Sequence, residues 1–241
     1  MASSAKDMCG RFNSISSGKD FAAAYGAAFD GIELRPNHNV APTTKIYAMT
    51  INDTKKIVGV MNWGLIPSWS KDKTRAASMI NARSETLGEK PSFRNLLTKY
   101  RCVIPIQGFY EWQVLPGDSK KPKKQAHYIS RSDNEVMTLA GLWTTWKDKD
   151  DSLVNTCTII TIEATNKLAA IHHRMPVILE RESIDAWLEP NVEFPQSLMR
   201  VAPDEIVVSE PTNRLEVAGR SDRPDNAGTS QLSDDFGGRL F

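Results

Sequence analysis

The chain has 241 residues and a formal net charge of +1. That length is enough for one large domain or two small ones, and for a real core, and the near-neutral balance excludes a global field acting on nucleic acid, so any basic surface is local. Three widely spaced cysteines, Cys9, Cys102 and Cys157, exclude a disulfide framework and a zinc site, and no run approaches the roughly 18 apolar residues of a membrane span.

Residues 1–8, MASSAKDM, lack the apolar segment of a signal peptide and read as a cloning remnant, an upstream start or a short pro-segment. Cys9 follows directly after Met8. If cleavage removes everything up to Met8, Cys9 carries a free α-amine and a thiol, which titrate near 7.7–8.0 and roughly 8.5. Both are then nucleophilic at neutral pH. With one aldehyde, the amine gives an imine and the thiol closes a five-membered thiazolidine. An internal cysteine cannot do this, because its nitrogen is an amide. The alternative for Cys9 is a small buried hydrophobe.

Phe21, Tyr25 and Phe29 have helical spacing, so a helix is expected over 17–29 with Ser16 or Ser17 as its cap. Pro42 marks a turn into a strand over 45–49, and a hairpin turn at Asn52-Asp53 leads to a second strand over 56–63. The stretch 63–70, WGLIPSWS, is an aromatic loop. Trp63 is assigned to the core, whereas Trp69 precedes Ser70, Lys71, Asp72 and Lys73 and offers either a base-stacking platform or a loop anchor. In the polar stretch 80–86, Asn81 supplies donors and an acceptor, and Arg83 is suited to a bidentate phosphate contact. A short helix is expected after Ser92.

A buried strand over 101–106 runs into GFYEW, residues 108–112. Alternation places Phe109 and Glu111 inward and Tyr110 outward. Burial between aromatics raises a carboxyl's pKa and suits it to proton transfer near neutral pH. Residues 116–124 form a hairpin loop with four lysines, either merely solvated or able to steer a polyanion. Strands are expected over 126–131, 136–143 and 153–161, then a helix over 163–171. That helix ends at Ile171-His172-His173-Arg174-Met175-Pro176, where histidine is suited to proton transfer at physiological pH. A strand over 176–179 and a helix from Ser183 to Pro190 complete the core. The segment 209–241 is too polar to bury a core and is assigned to a disordered tail. The predicted architecture is α+β: curved, mainly antiparallel sheets in a barrel-like core flanked by short helices.

Taken in order, MCGRF, NVAPT, WGLIPSW, INARSET, CVIPIQGFYEW, AGLW, TCTIIT and IHHRMPVIL resemble the SRAP family, the SOS-response-associated peptidase-like proteins also regarded as abasic-site processing proteins. The resemblance runs from Cys9 to about Val208. It implies a single SRAP domain over 9–208, with residues 1–8 removed, and a basic cleft for single-stranded DNA containing abasic sites. It implies a crosslinking, lyase-like enzyme of the DNA damage response, with a possible autopeptidase activity that frees Cys9. In the family that cysteine captures the ring-opened abasic sugar as a thiazolidine. Carried over by motif, Cys9 is the nucleophile, Asn81 orients the cysteine and the sugar, Glu111 is the acid/base group, and His172 assists imine formation and crosslink reversal. Arg11 and Arg83 are implied as phosphate ligands, Trp69 as a stacking or wedge residue, and Thr161 as part of the pocket wall.

No metal or cofactor is implied. The protein is expected to be an intracellular monomer, in the cytoplasm or nucleoid of a bacterium or the nucleus of a eukaryote. The chain departs from the family pattern in three places. Seven residues precede Met8, His173 stands where Asp or Asn is usual, and the closing segment near 211–217 does not match. Gln231-Leu232-Ser233 with Phe236 faintly resembles a replication-clamp-binding peptide, although Asp234 replaces the expected apolar residue. Two other classes remain open on the sequence: a thiol peptidase using Cys9, His172 and Glu111 or Asn81, and a non-catalytic single-stranded DNA binder.

Overall fold

The structure, a computed structural model, describes residues 10–117, 122–164, 166–200 and 207–211. Cys9, the four-residue tip 118–121 of the basic loop, and the clamp-like string 231–236 lie outside the described residues.

Long apolar runs such as CVIPI, TLAGL and CTIITI are the signature of strands buried on both faces, and here they close a barrel. Its five strands are β3 (Lys45–Asn52), β4 (Lys55–Trp63), β6 (Arg101–Val114), β8 (Met137–Lys147) and β9 (Leu153–Glu163). They run in the order β8-β9-β4-β3-β6, and a β6–β8 pairing completes the ring. Closure leaves the central strands without free edges. Most pairings are antiparallel, whereas β4–β9 is parallel, with Trp63 opposite Cys157. Gly141 sits where three barrel strands crowd together. A Cβ there would lie 2.8 Å from both Cys102 Sγ and Thr158 O, so the glycine of AGLW is a packing requirement.

The remaining strands are attached to this ring. They are β1 (Arg11–Ser14), β2 (Ala28–Phe29), β5 (Asn81–Arg83), β10 (Arg174–Pro176), β11 (Ile178–Leu179) and β12 (Val207–Pro211) on its outside, with β7 (Lys124–Arg131) beside β6. Strand β6 has a double allegiance. Its first half, Arg101 to Ile106, pairs with β8; its second half, Phe109 to Val114, leaves the barrel and pairs with β7. On the other side of that second half, β1 pairs with register Arg11↔Tyr110 and Phe12↔Phe109. The projecting sheet β1-β6-β7-β12 carries the candidate site.

Among the described residues, three short helices cover the periphery: α1 (Gly18–Ala24), α2 (Asn166–Ala169) and α3 (Ile184–Leu188). Trp187 on α3 is fully buried and donates from Nε1 to Cys102 O at 2.9 Å. Buried Arg101 donates to the carbonyls of Leu97, Trp187 and Glu189, tying α3 to the start of β6. Trp63 is core as expected, its ring 4.9 Å from that of Phe12.

Several local expectations are corrected. The helix expected over 17–29 stops at Ala24, because Gly26 turns the chain at φ 60° and Ala28–Phe29 joins β4 in parallel. The helix expected over 163–171 shrinks to α2, because Ile162 and Glu163 continue β9 to pair with Met175 and Arg174. The segment after Ser92 forms only a 3-10 turn, Arg94–Leu96. Tyr110 does not face solvent. It is 1 % exposed, donates to His38 O at 2.9 Å and packs on Tyr128. Both faces of β6 are covered there, one by α2 and the segment after it and the other by the 38–39 loop. At the C-terminal end, β12 extends past the Val208 boundary to Pro211, paired opposite His127.

Candidate active site

The site grows from alternation on β6. Phe109, Glu111 and Gln113 share one face of the strand. Opposite them on β7 stand Ile129, His127 and Gln125. The segment from α2 to β10 folds over this face, so that Phe109, Glu111, Ile129, Leu168, Ile171, His172 and Arg174 line one tight pocket. Glu111 is 2 % exposed. Sequence motifs 60 or so positions apart are thus brought together: the acid of GFYEW and the first histidine of IHHRMP. His173 is exposed and does not line this pocket, although its ring lies 4.5 Å from that of His172.

Gln113 clamps the cover in place. Its Nε2 donates to Ala170 O at 3.0 Å, and its Oε1 lies 3.1 Å from His127 Nε2. With the amide oriented by Ala170, Oε1 is the acceptor, so His127 carries its proton on Nε2. Burial depresses the His127 pKa, which keeps this ring neutral beside Glu111. The His172 ring is fixed by its own chain: Arg174 N–H donates to Nδ1 at 3.2 Å, and the Arg174 carbonyl lies 3.3 Å from the same nitrogen.

Arg174 is the second charge in the pocket and is 8 % exposed. Its Nη1 and Nη2 form a fork with Glu85 Oε1 and Oε2 at 2.6 and 2.9 Å, and Nη2 also donates to Thr161 O at 2.6 Å. The hydrogen bonds from Arg174 hold the Glu85 carboxyl below its ordinary pKa, against the opposing effect of burial. Thr161 is fully buried on β9 and pairs with Arg83 across the parallel β5–β9 ladder. Asn81, two residues before Arg83, lies on the same face of β5 and pairs opposite Ile159.

The remaining expected residues lie around this centre. Arg11, beside Tyr110 on β1, donates to Asn39 Oδ1 at 3.1 Å. Trp69 is 66 % exposed, on a loop that Trp146 pins by donating from Nε1 to Ser70 O at 2.8 Å. Arg83 is exposed. Glu111 and His172 therefore share one pocket, and Thr161 joins them through Arg174. Asn81 does not line that pocket, and Trp69 stands apart from it. Cys102 and Cys157 are fully buried, and burial pushes both thiols up, so neither has the thiolate character of a nucleophile. Among the described residues no three His, Cys, Asp or Glu side chains gather as metal ligands.

Sequence reasoning missed Glu85, Gln113 and His127 as site residues and left Arg174 without a role. Glu85 and Arg174 both lie inside recognised motifs, and their opposite charge was the available signal. Their pairing across 89 positions depends on β9 separating β5 from β10, which no spacing reveals.

Comparisons with known proteins bear on the family and the fold. The family described as SOS response associated peptidase (SRAP) matches residues 8–216. The chain is 38 % identical over 198 residues to Abasic site processing protein YoqW of Bacillus subtilis, covering 80 % of this chain and 87 % of that protein. It is 31 % identical over 220 residues to Abasic site processing protein HMCES of Gallus gallus, covering 79 % of this chain and 65 % of that protein. A solved structure of a protein from Bacteroides thetaiotaomicron superposes with a TM-score of 0.75 at 31 % identity, covering 85 % of this chain and 93 % of that one. A family match that spans residues 8–216, together with 38 % identity to a relative over most of both chains, shows that the chain belongs to the SRAP family.

Proposed function

We propose that this protein captures ring-opened abasic sites in single-stranded DNA as a covalent thiazolidine on Cys9. The observation that carries the reading is Glu111 and His172 in one buried pocket, on the strand that pairs with β1 immediately after Gly10. Cys9 precedes Gly10 in the chain, so its covalent link ties it to the strand next to Glu111. The relatives named for abasic-site processing support the same substrate.

The Cys9 α-amine adds to the C1′ aldehyde of the open sugar and gives a carbinolamine. Loss of water from it requires a proton on the departing hydroxyl, a task for Glu111 or His172. The resulting imine is open to β-elimination and strand scission. Attack of the Cys9 thiolate on the imine carbon closes the ring and removes that electrophile. The net reaction joins aldehyde and aminothiol with release of one water. A free amine demands prior cleavage of the Met8–Cys9 bond, either by an aminopeptidase after initiation at Met8 or by the Cys9 thiol acting on its own upstream peptide. Arg11 and Arg83 supply phosphate contacts, Asn81 orients Cys9 and the sugar, Thr161 completes the pocket wall, and exposed Trp69 stacks on a base beside the lesion.

The test is a heat- and SDS-resistant complex with single-stranded DNA carrying one abasic site. Wild type is expected to shift on a denaturing gel, Cys9→Ser to form a slower and less durable adduct, and Cys9→Ala to form none that survives heating. A Cys9→Ala complex as durable as wild type would exclude the mechanism.

A further inference from the structure

Arg174 presents a puzzle of charge. It lines the same pocket as Glu111, and a guanidinium free to turn toward a buried carboxyl would hold that carboxyl ionised. An acid/base group that must carry a proton during the reaction cannot work while locked in such a pair. The ion pair of Arg174 is instead made with Glu85, on the turn after β5. Both terminal nitrogens are taken, and Thr161 O binds Nη2 from the other side. The remaining donor, Nε, is buried without a partner, so the group is held in one orientation by its Nη atoms alone.

We propose that Glu85 is the positioning residue of this site: by gripping Arg174 it directs the guanidinium away from Glu111, balances its charge, and leaves Glu111 able to gain and lose a proton. The inference rests on the function proposed above for the role of Glu111, but its structural core stands on the Glu85–Arg174–Thr161 geometry. The same grip sets His172, because the backbone of Arg174 holds His172 Nδ1. Among the described residues, the titratable and charged groups that stand opposite Glu111 or line its pocket include His127 from β7, and His172 and Arg174 from the segment between α2 and β10. From α2 itself, Leu168 lines the pocket. On β1, Arg11 lies with Tyr110 on the opposite face, and the Cys9 amine would add a further charge beyond Gly10. Of these groups, Arg174 is the one that is both permanently charged and neutralised by a dedicated partner.

The experiment titrates Glu111 directly, by carbon NMR of labelled glutamate carboxyls with the signal assigned from its loss in Glu111→Gln. Four proteins are compared: wild type, Glu85→Gln, Glu85→Asp and Arg174→Gln. Loss of the balancing charge in Glu85→Gln is expected to move the Glu111 titration to lower pH. Loss of the guanidinium in Arg174→Gln is expected to move it to higher pH, and Glu85→Asp to leave it near wild type. In parallel, crosslinking by Glu85→Gln is expected to fall about tenfold at pH 8 and less at pH 6, with Glu85→Asp restoring it. A Glu111 titration that stays put in both charge-removing variants, or moves the same way in both, overturns the proposal. So does a uniform loss of crosslinking with no change of pH profile, which is the mark of a structural role. Should Glu85→Gln fail to fold, the direction of the Arg174→Gln shift decides. If the titrations move as expected while wild type forms no crosslink, the charge balance stands and the function proposed above falls.

Discussion

Gly108 is the residue of β6 at which β1, β6 and β7 meet, one step before Phe109 in the half of the strand that delivers Glu111. A Cβ at this position would lie 2.5 Å from Tyr128 Oη, 2.6 Å from Tyr128 Cζ and 2.6 Å from Ile129 O. Comfortable contact needs roughly another 1 Å. The tyrosine cannot simply swing aside, because its hydroxyl accepts from Asn13 Nδ2 at 3.2 Å and its ring packs 5.1 Å from that of Tyr110. The third atom is backbone, and Ile129 pairs with Phe109 in the ladder. Gly108→Ala therefore pushes β7 away from β6 and strains the Asn13↔Gly108 register of β1. Overpacking of this kind costs about 2 kcal/mol, or about 4–8 °C in melting temperature for a domain of this size. Displacing the start of β1 by a fraction of an ångström should also slow crosslinking by about 10- to 100-fold. The control is Gly88→Ala, where nothing lies within 4 Å of the added Cβ. The assays are thermal unfolding and single-turnover crosslinking, run side by side on both variants. Equal melting temperatures and equal rates for the two would refute the reasoning.

Other outcomes follow from the same contacts. Glu33 caps α1 through Gly18 N and Lys19 N, both at 2.9 Å, and accepts from Tyr47 Oη at 2.6 Å; chiefly through the Tyr47 bond, its pKa falls from 4.5 to about 2. With the folded value depressed, this stability is present above the unfolded pKa and disappears as pH falls from about 4.5 toward 2. Solvent screening reduces the effect to about 1 kcal/mol, so wild type and Glu33→Gln should differ by that amount at pH 6 and converge near pH 2 in denaturant titrations. Arg101→Met removes the donor to three carbonyls and should cost about 3–5 kcal/mol, read as a lost or much lowered unfolding transition. Trp69→Ala, at an exposed site, should leave the melting temperature unchanged while weakening single-stranded DNA by about 1–3 kcal/mol in fluorescence anisotropy; unaltered affinity would remove Trp69 from the interface.

How far the sequence reveals this protein differs from element to element. The strands of the barrel were legible because residues 101–106, 137–142 and 157–162 are too apolar to face water on either side. The inward direction of Glu111 followed from its two-residue spacing to Phe109. The burial of Tyr110 did not, because the loop that covers it is fixed by long-range bonds such as that to His38 O, 72 positions away. Helix 163–171 was overextended because Leu168 and Ile171 have helical spacing, yet β9 competes for the first residues and wins through its ladder with β10. In the site, the strings that carry Glu111 and His172 were legible individually. Their convergence required knowing that β6 leaves the barrel and that Gln113 holds the α2 segment over it. The counter-charge on Arg174 was invisible for the same reason: it depends on strand order rather than on local pattern.

The most direct measurement of the central claim is the intact mass of one purified sample before and after incubation with single-stranded DNA carrying a single abasic site. The account predicts a protein that starts at Cys9 and an adduct equal to protein plus DNA minus one water, with the modified peptide beginning at Cys9. A protein that starts at Cys9 and gains no such mass would contradict it.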